Sequence, residues 1–125
     1  MRELVDRSLA LLGPEHGTPL ARAVGGWRIA VSIDAAAFRL LVVGDRLCTA
    51  DPGPAELHVA ASRHLVGRLL AGRIQLDKAI EHDLLHLQGP IDAILAGQDA
   101  LTIWLHGALR SPRQAALLRE LAWEP

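Results

Sequence analysis

Near the start of the chain, Leu4, Val5, Ser8, Leu9, Leu11 and Leu12 recur at helical spacing, the pattern of an amphipathic helix, and Gly13-Pro14 is placed to end it. Thr18 and Pro19 form an N-cap and first-turn proline pair, predicting a short second helix that stops at Gly25-Gly26. The period then falls to two. In W-R-I-A-V-S-I-D, Trp27, Ile29, Val31 and Ile33 alternate with Arg28, Ala30, Ser32 and Asp34, as in a strand with one apolar face. F-R-L-L-V-V reads as a second strand, Gly44-Asp45 as a turn, R-L-C-T-A as a third strand and D-P-G-P as a loop. A-E-L-H-V-A-A follows with Leu57, Val59 and Ala61 on one side, so short links join these strands into an expected antiparallel meander.

Helical periodicity returns after residue 61. Ser62 caps R-H-L-V-G-R-L-L-A, whose Leu65, Val66, Leu69 and Leu70 make an apolar stripe closed by Gly72. Asp77 is positioned to cap the short turn D-K-A-I-E-H. A helix is expected around 91–109 with a break at Gly97 to Asp99, and another from 112 onward. Ser111-Pro112-Arg113-Gln114 joins an N-cap, a first-turn proline and a capping-box glutamine in four residues.

With 125 residues, half of them apolar, the chain is expected to be one globular domain with a single filled core. Its formal net charge of −1, without a block of like charges or a basic stripe, points away from nucleic acid. Glu3, Asp6 and Arg7 interrupt the N-terminal apolar run, which does not read as a signal peptide, and no stretch is long enough to span a bilayer. A cytoplasmic protein without stable membrane insertion is the expectation. Cys48 is the one cysteine, in an apolar strand-like run, and reads as a small core residue. Arginine outnumbers lysine twelve to one, which speaks of GC-rich, bacterial-type coding and not of function.

Residues 82 to 92, H-D-L-L-H-L-Q-G-P-I-D, raise a sharper possibility. A metzincin peptidase carries H-E-x-x-H-x-x-G-x-x-H, and His82, His86 and Gly89 match its spacing, with Asp83 in the general-base position and Asp92 in that of the third ligand. Ile80, Leu84 and Leu87 have helical spacing, while Leu85 and Leu87 alternate with His86 and Gln88, so the period fits helix and strand alike. The chemistry argues against the peptidase. Asp83 is one methylene short of reaching a metal-bound water, and the methionine turn such a site requires is missing, since Met1 is the only methionine. The remaining histidines, His16, His58, His64 and His106, are scattered over different elements. No catalytic residue, metal or cofactor is therefore expected.

The order of these segments resembles the sterol carrier protein type 2 family. Helices lead into W-R-I-A-V-S-I-D, F-R-L-L-V-V-G-D and A-E-L-H-V-A-A-S, and then R-L-L-A-G-R-I-Q-L-D-K-A-I-E-H-D-L-L-H-L-Q-G-P places a last strand after a helix-glycine-helix stretch. The likeness covers about residues 18 to 109, with the terminal helix 112–123 beyond it. It departs from the family at that strand, which is usually preceded by Gly-Lys and followed by Gly-Asp; Asp83-Leu84 and Gly89-Pro90 stand there. The resemblance implies an α+β domain, a mostly antiparallel sheet of four or five strands covered on one face by helices, with an apolar tunnel that holds a lipid, sterol-like or fatty-acyl molecule without converting it. Two apolar layers could line such a tunnel: Ile29, Val31, Leu40 and Val42 from the sheet, and Leu65, Leu69, Ile94, Leu101, Trp104 and Leu105 from the helices. A filled core would use the same residues. The other functional class is an interaction module or homodimer docking through Leu117, Leu118, Leu121 and Trp123 of the terminal helix. A closed cavity above about 300 Å³ would favour the carrier, and an exposed apolar helix face the module.

Overall fold

The computed structural model describes residues 1–12, 14–111, 113, 114, 116 and 117. In chain order the elements are α1 (Arg2–Leu11), α2 (Pro14–Val24), β1 (Ile29–Ile33), β2 (Ala36–Val43), β3 (Arg46–Ala50), β4 (Leu57–Ala61), α3 (Arg63–Leu70), α4 (Leu76–Glu81), β5 (His86–Gln88) and α5 (Ile91–Arg110). The strands form one five-stranded sheet in the order β3-β2-β1-β4-β5. Helices cover one of its faces, so the domain is α+β with a mostly antiparallel sheet.

Two two-residue links, Asp34-Ala35 and Gly44-Asp45, make β1, β2 and β3 the expected meander, with Ile33 opposite Ala36 and Val43 opposite Arg46. Gly44 takes φ +66° and Asp34 φ 53°, left-handed backbone that glycine and aspartate tolerate best in such links. The fourth strand departs from the expectation. β4 crosses back over the hairpins and pairs with β1 in parallel, Ile29 beside Leu57, and β5 then pairs with β4 antiparallel. Arg28 fixes that register. Its backbone N–H and its guanidinium both donate to the Glu56 carboxylate, at 3.1 and 2.9 Å, while its carbonyl accepts from the backbone N–H groups of Glu56 and Leu57. Arg39 pins the crossing segment, donating to the carbonyls of Asp51 at 2.7 Å and Pro54 at 3.2 Å.

Along β1 the alternation has its expected result: Ile29, Val31 and Ile33 are buried under the helices and Ser32 is exposed on the open face. Phe38 on β2 and Leu57 on β4 join them in the core. α1 lies over β3 and β2, and both α2 and α3 pack on α5.

Several helix boundaries differ from those read in the sequence. α2 begins at Pro14 and runs through Pro19, which lies inside it and does not start it. Pro19 offers no N–H to the Glu15 carbonyl, but both residues are exposed, so water can take that bond. α5 is continuous through Gly97, where a break was expected. A Cβ at Gly97 would stand 2.5 Å from Leu57 Cδ2, so this glycine lets α5 close on β4. Gly107 lets α5 close similarly on the end of α1 and on α2, since a Cβ there would lie 2.7 Å from Leu12 Cδ2 and 3.2 Å from His16 Cγ. Asp77 lies within the first turn of α4, whose N-cap is Gln75.

Other local signals match the structure. Ser62 Oγ accepts from the Leu65 N–H at 3.0 Å, and α3 ends in a Schellman motif, with Gly72 at φ +70° and the Arg73 N–H bonded to the Arg68 carbonyl. Ser111 Oγ accepts from the Gln114 N–H at 3.4 Å, the geometry of a helix start. The remainder of the terminal helix expected over 112–123, including Leu118, Leu121 and Trp123, lies outside the described residues.

Candidate functional site

Two clusters of buried apolar side chains meet beneath the helices. Leu20, Val24, Ile29, Phe38 and Leu57 belong to the first, and Leu65, Leu69, Leu70, Leu85 and Leu105 to the second. Met1, Val59, Val66 and Trp104 pack against both. Between them lies a cavity of about 150 Å³. α1 contributes Leu4, Val5, Ser8 and Leu9 to its wall, and the sheet contributes Ile29, Val31, Ile33, Phe38, Leu40, Leu47, Val59 and Ala61. Leu20 and Val24 of α2, Val66, Leu69 and Leu70 of α3, and Gly97, Ala100, Leu101 and Trp104 of α5 line the rest, with Met1, Leu85 and Leu117 alongside.

Six of the residues named from the sequence reach this wall: Ile29, Val31, Leu40, Leu69, Leu101 and Trp104. Four lie outside it. Val42 packs at the margin of the first cluster, towards the Gly44-Asp45 turn. Leu65 is buried in the second cluster, about a quarter turn from the row formed by Val66, Leu69 and Leu70. Ile94 packs on the first cluster and Leu105 within the second, both to one side of the Gly97, Ala100, Leu101, Trp104 row. The α1 residues were visible as a periodic stripe, but its destination depends on tertiary contacts that local spacing does not encode.

Ser8 is the one polar side chain among the described lining residues, and it is 4% exposed. Its hydroxyl donates to Gln114 Oε1 at 2.6 Å and accepts from the Trp104 indole N–H at 3.0 Å. Gln114, fully buried, also donates from Nε2 to the Ser8 carbonyl at 2.6 Å. That carbonyl belongs to the last turn of α1 and has no partner within the helix, so Gln114 satisfies it. The capping-box reading therefore holds for the Gln114 backbone but not for its side chain, which reaches inward to α1. No buried side-chain N or O among the described residues is left without a partner.

The H-D-L-L-H stretch is built for another purpose. α4 ends at Glu81, His82 is its C-cap and His86 begins β5, so no helix face carries both histidines. Asp83 takes φ 58° at the left-handed position of a second Schellman motif, with the Leu84 N–H bonded to the Ala79 carbonyl at 2.9 Å and the Asp83 N–H to that of Ile80 at 3.2 Å. Among the described residues no group of three or more His, Cys, Asp or Glu side chains stands close enough to hold a metal ion.

This five-stranded sheet under helices, with an apolar cavity between the two layers, has the SCP2-like fold. Solved structures agree. The chain is similar to a UbiJ-SCP2 ubiquinone synthesis protein at 19% identity and TM-score 0.57, over 82% of this chain and 90% of that one. It is similar to a sterol carrier protein 2 at 17% and 0.57, over 87% and 93%, and to the sterol carrier protein domain 2 of Helicoverpa armigera at 14% and 0.56, over 82% and 89%. At these identities the likeness is one of fold. No protein-family model matches the sequence, and no curated protein matches it either.

Proposed function

We propose that residues 1–125 form one SCP2-like ligand-binding domain, which holds a small apolar molecule, or the apolar end of a lipid, between sheet and helices without converting it. The observation that carries this reading is the cavity at the meeting of the two clusters, apolar on every side except at Ser8. Sterol carrier proteins of the same fold lend it support. The volume narrows the ligand. About 150 Å³ is half the 300 Å³ set above for a whole carried molecule, and matches the scale of engineered apolar cavities that accept benzene. A ring or a short run of methylenes fits, and a whole sterol requires the lining to move. No described helix is long and apolar enough to cross a membrane, consistent with capture from solution or from a membrane surface.

The test uses a variant in which Trp27 and Trp123 are phenylalanine, leaving Trp104 as the reporter. Titration with short fatty-acyl and sterol-derived probes should change its fluorescence saturably in the micromolar range, since burying ligand carbon gains about 25 cal/mol per Å² before association costs. Leu101→Asp, in the wall, should weaken binding more than tenfold, while Ile94→Asp, outside it, should change affinity far less. If no probe binds, the carrier reading fails and the interaction or homodimer reading takes its place; Ile91 and Leu95, 73% and 53% exposed on α5, are then the first surface to mutate.

A further inference from the structure

The polar point in the cavity wall has a definite hydrogen-bonding valence. A serine hydroxyl has one proton and two lone pairs. At Ser8 the proton is committed to Gln114 Oε1 and one lone pair to the Trp104 N–H, which leaves one acceptor site. Trp104 has spent its only donor. Gln114 is not among the lining residues, and no charged side chain is. The described wall therefore offers a ligand one side-chain acceptor, and neither a free side-chain hydrogen-bond donor nor a charged side chain.

We infer that the ligand's polar group is a neutral hydrogen-bond donor: the cavity selects a hydroxyl-bearing apolar molecule, an aliphatic or ring alcohol, over the carboxylate or phosphate form of the same skeleton. This rests on the ligand-binding reading above and specifies its chemical class. A hydroxyl group placed at Ser8 Oγ completes the serine's valence and keeps its own oxygen the only atom still seeking a donor. A carboxylate there would bring negative charge against an oxygen lone pair among apolar side chains, where an unpaired charge is strongly disfavoured. An ether or alkane would fill the space and leave Ser8 as it is.

Three probes of equal chain length separate these cases: octanol, octanoate at neutral pH, and methyl heptyl ether, each titrated by calorimetry into the full chain. Octanol should bind about three- to tenfold more tightly than the ether, the worth of one neutral hydrogen bond, and octanoate should bind weakest. In Ser8→Ala the octanol-to-ether ratio should fall to about one. Because that variant strips partners from Trp104 and Gln114, Trp104→Phe is the companion: it frees a lone pair on Ser8 and should preserve the preference for octanol. Octanoate binding as tightly as octanol, an octanol-to-ether ratio of one in the parent, or a ratio that survives Ser8→Ala would each overturn the inference while the carrier reading stands. Failure of the parent to bind any of the three would overturn both.

Discussion

Asp83 shows how one residue can carry two meanings in a sequence and one in a structure. Between two histidines four apart it mimics a general base, yet its φ of 58° places it at the left-handed turn that ends α4. Aspartate tolerates that conformation and glycine prefers it, whereas a Cβ without a polar tip gains nothing there. Asp83→Gly should be at least as stable as the parent and Asp83→Ala about 1 kcal/mol less stable, measured by urea denaturation. A large loss in Asp83→Gly would show that the carboxylate itself matters. Glu56 is the second residue with a measurable signature. The hydrogen bonds from the Arg28 side chain, and then from its backbone, hold the Glu56 carboxyl below the ordinary glutamate value. A carboxyl with a lowered folded-state pKa adds stability that is complete above about pH 4.3 and is lost as the pH falls through the lowered value. Glu56→Gln should therefore flatten the acid limb of a melting-temperature profile, and an unchanged limb would show that other carboxylates set it.

Elements defined by local chemistry were legible in the sequence. The alternation of Ile29, Val31 and Ile33, the Ser62 cap and the Gly72 stop depend on residues close to one another in the chain, and the structure carries all three. What could not be read depends on a distant neighbour. Gly97 looks like a helix breaker until Leu57, forty residues earlier, is seen against it. β4 looks like the next strand of a meander because its parallel partner β1 lies beyond two intervening strands. Of the cavity wall, the strand rows and the α5 row were visible as apolar faces, but Ser8 appeared as one polar residue in a helix stripe and Gln114 as a cap. Their pairing across the domain could not be anticipated from spacing. The glycine reading can be tested directly. Gly97→Ala would improve helix propensity in isolation, yet it should destabilise the domain by about 1–3 kcal/mol through overpacking against fully buried Leu57. Gly97→Ala combined with Leu57→Val, which removes carbon at that contact, should cost less than the two single changes added together.

For the whole molecule, the cavity sets stability against function. Space without partner atoms forfeits dispersion contacts, so filling it should stabilise the protein as it closes the site. Ala100→Leu, at a buried wall position on α5, should raise stability by about 0.5–2 kcal/mol and reduce probe binding below detection. A variant that gains stability and still binds would place the ligand elsewhere. The crossing of β4 over the hairpins also orders events in time. The hairpins β1-β2 and β2-β3 close over two-residue links and can form within about 1–10 μs. Ile29 meets Leu57 only after all the chain between them has been looped and docked, a closure whose entropy must be spent before any ladder bond returns it. The three-residue β5 can attach only to a β4 already in place. The rate-limiting step of folding should then be the insertion of the parallel strand, and until it completes, β1 presents an open edge on which a second, unfinished copy of the chain could pair.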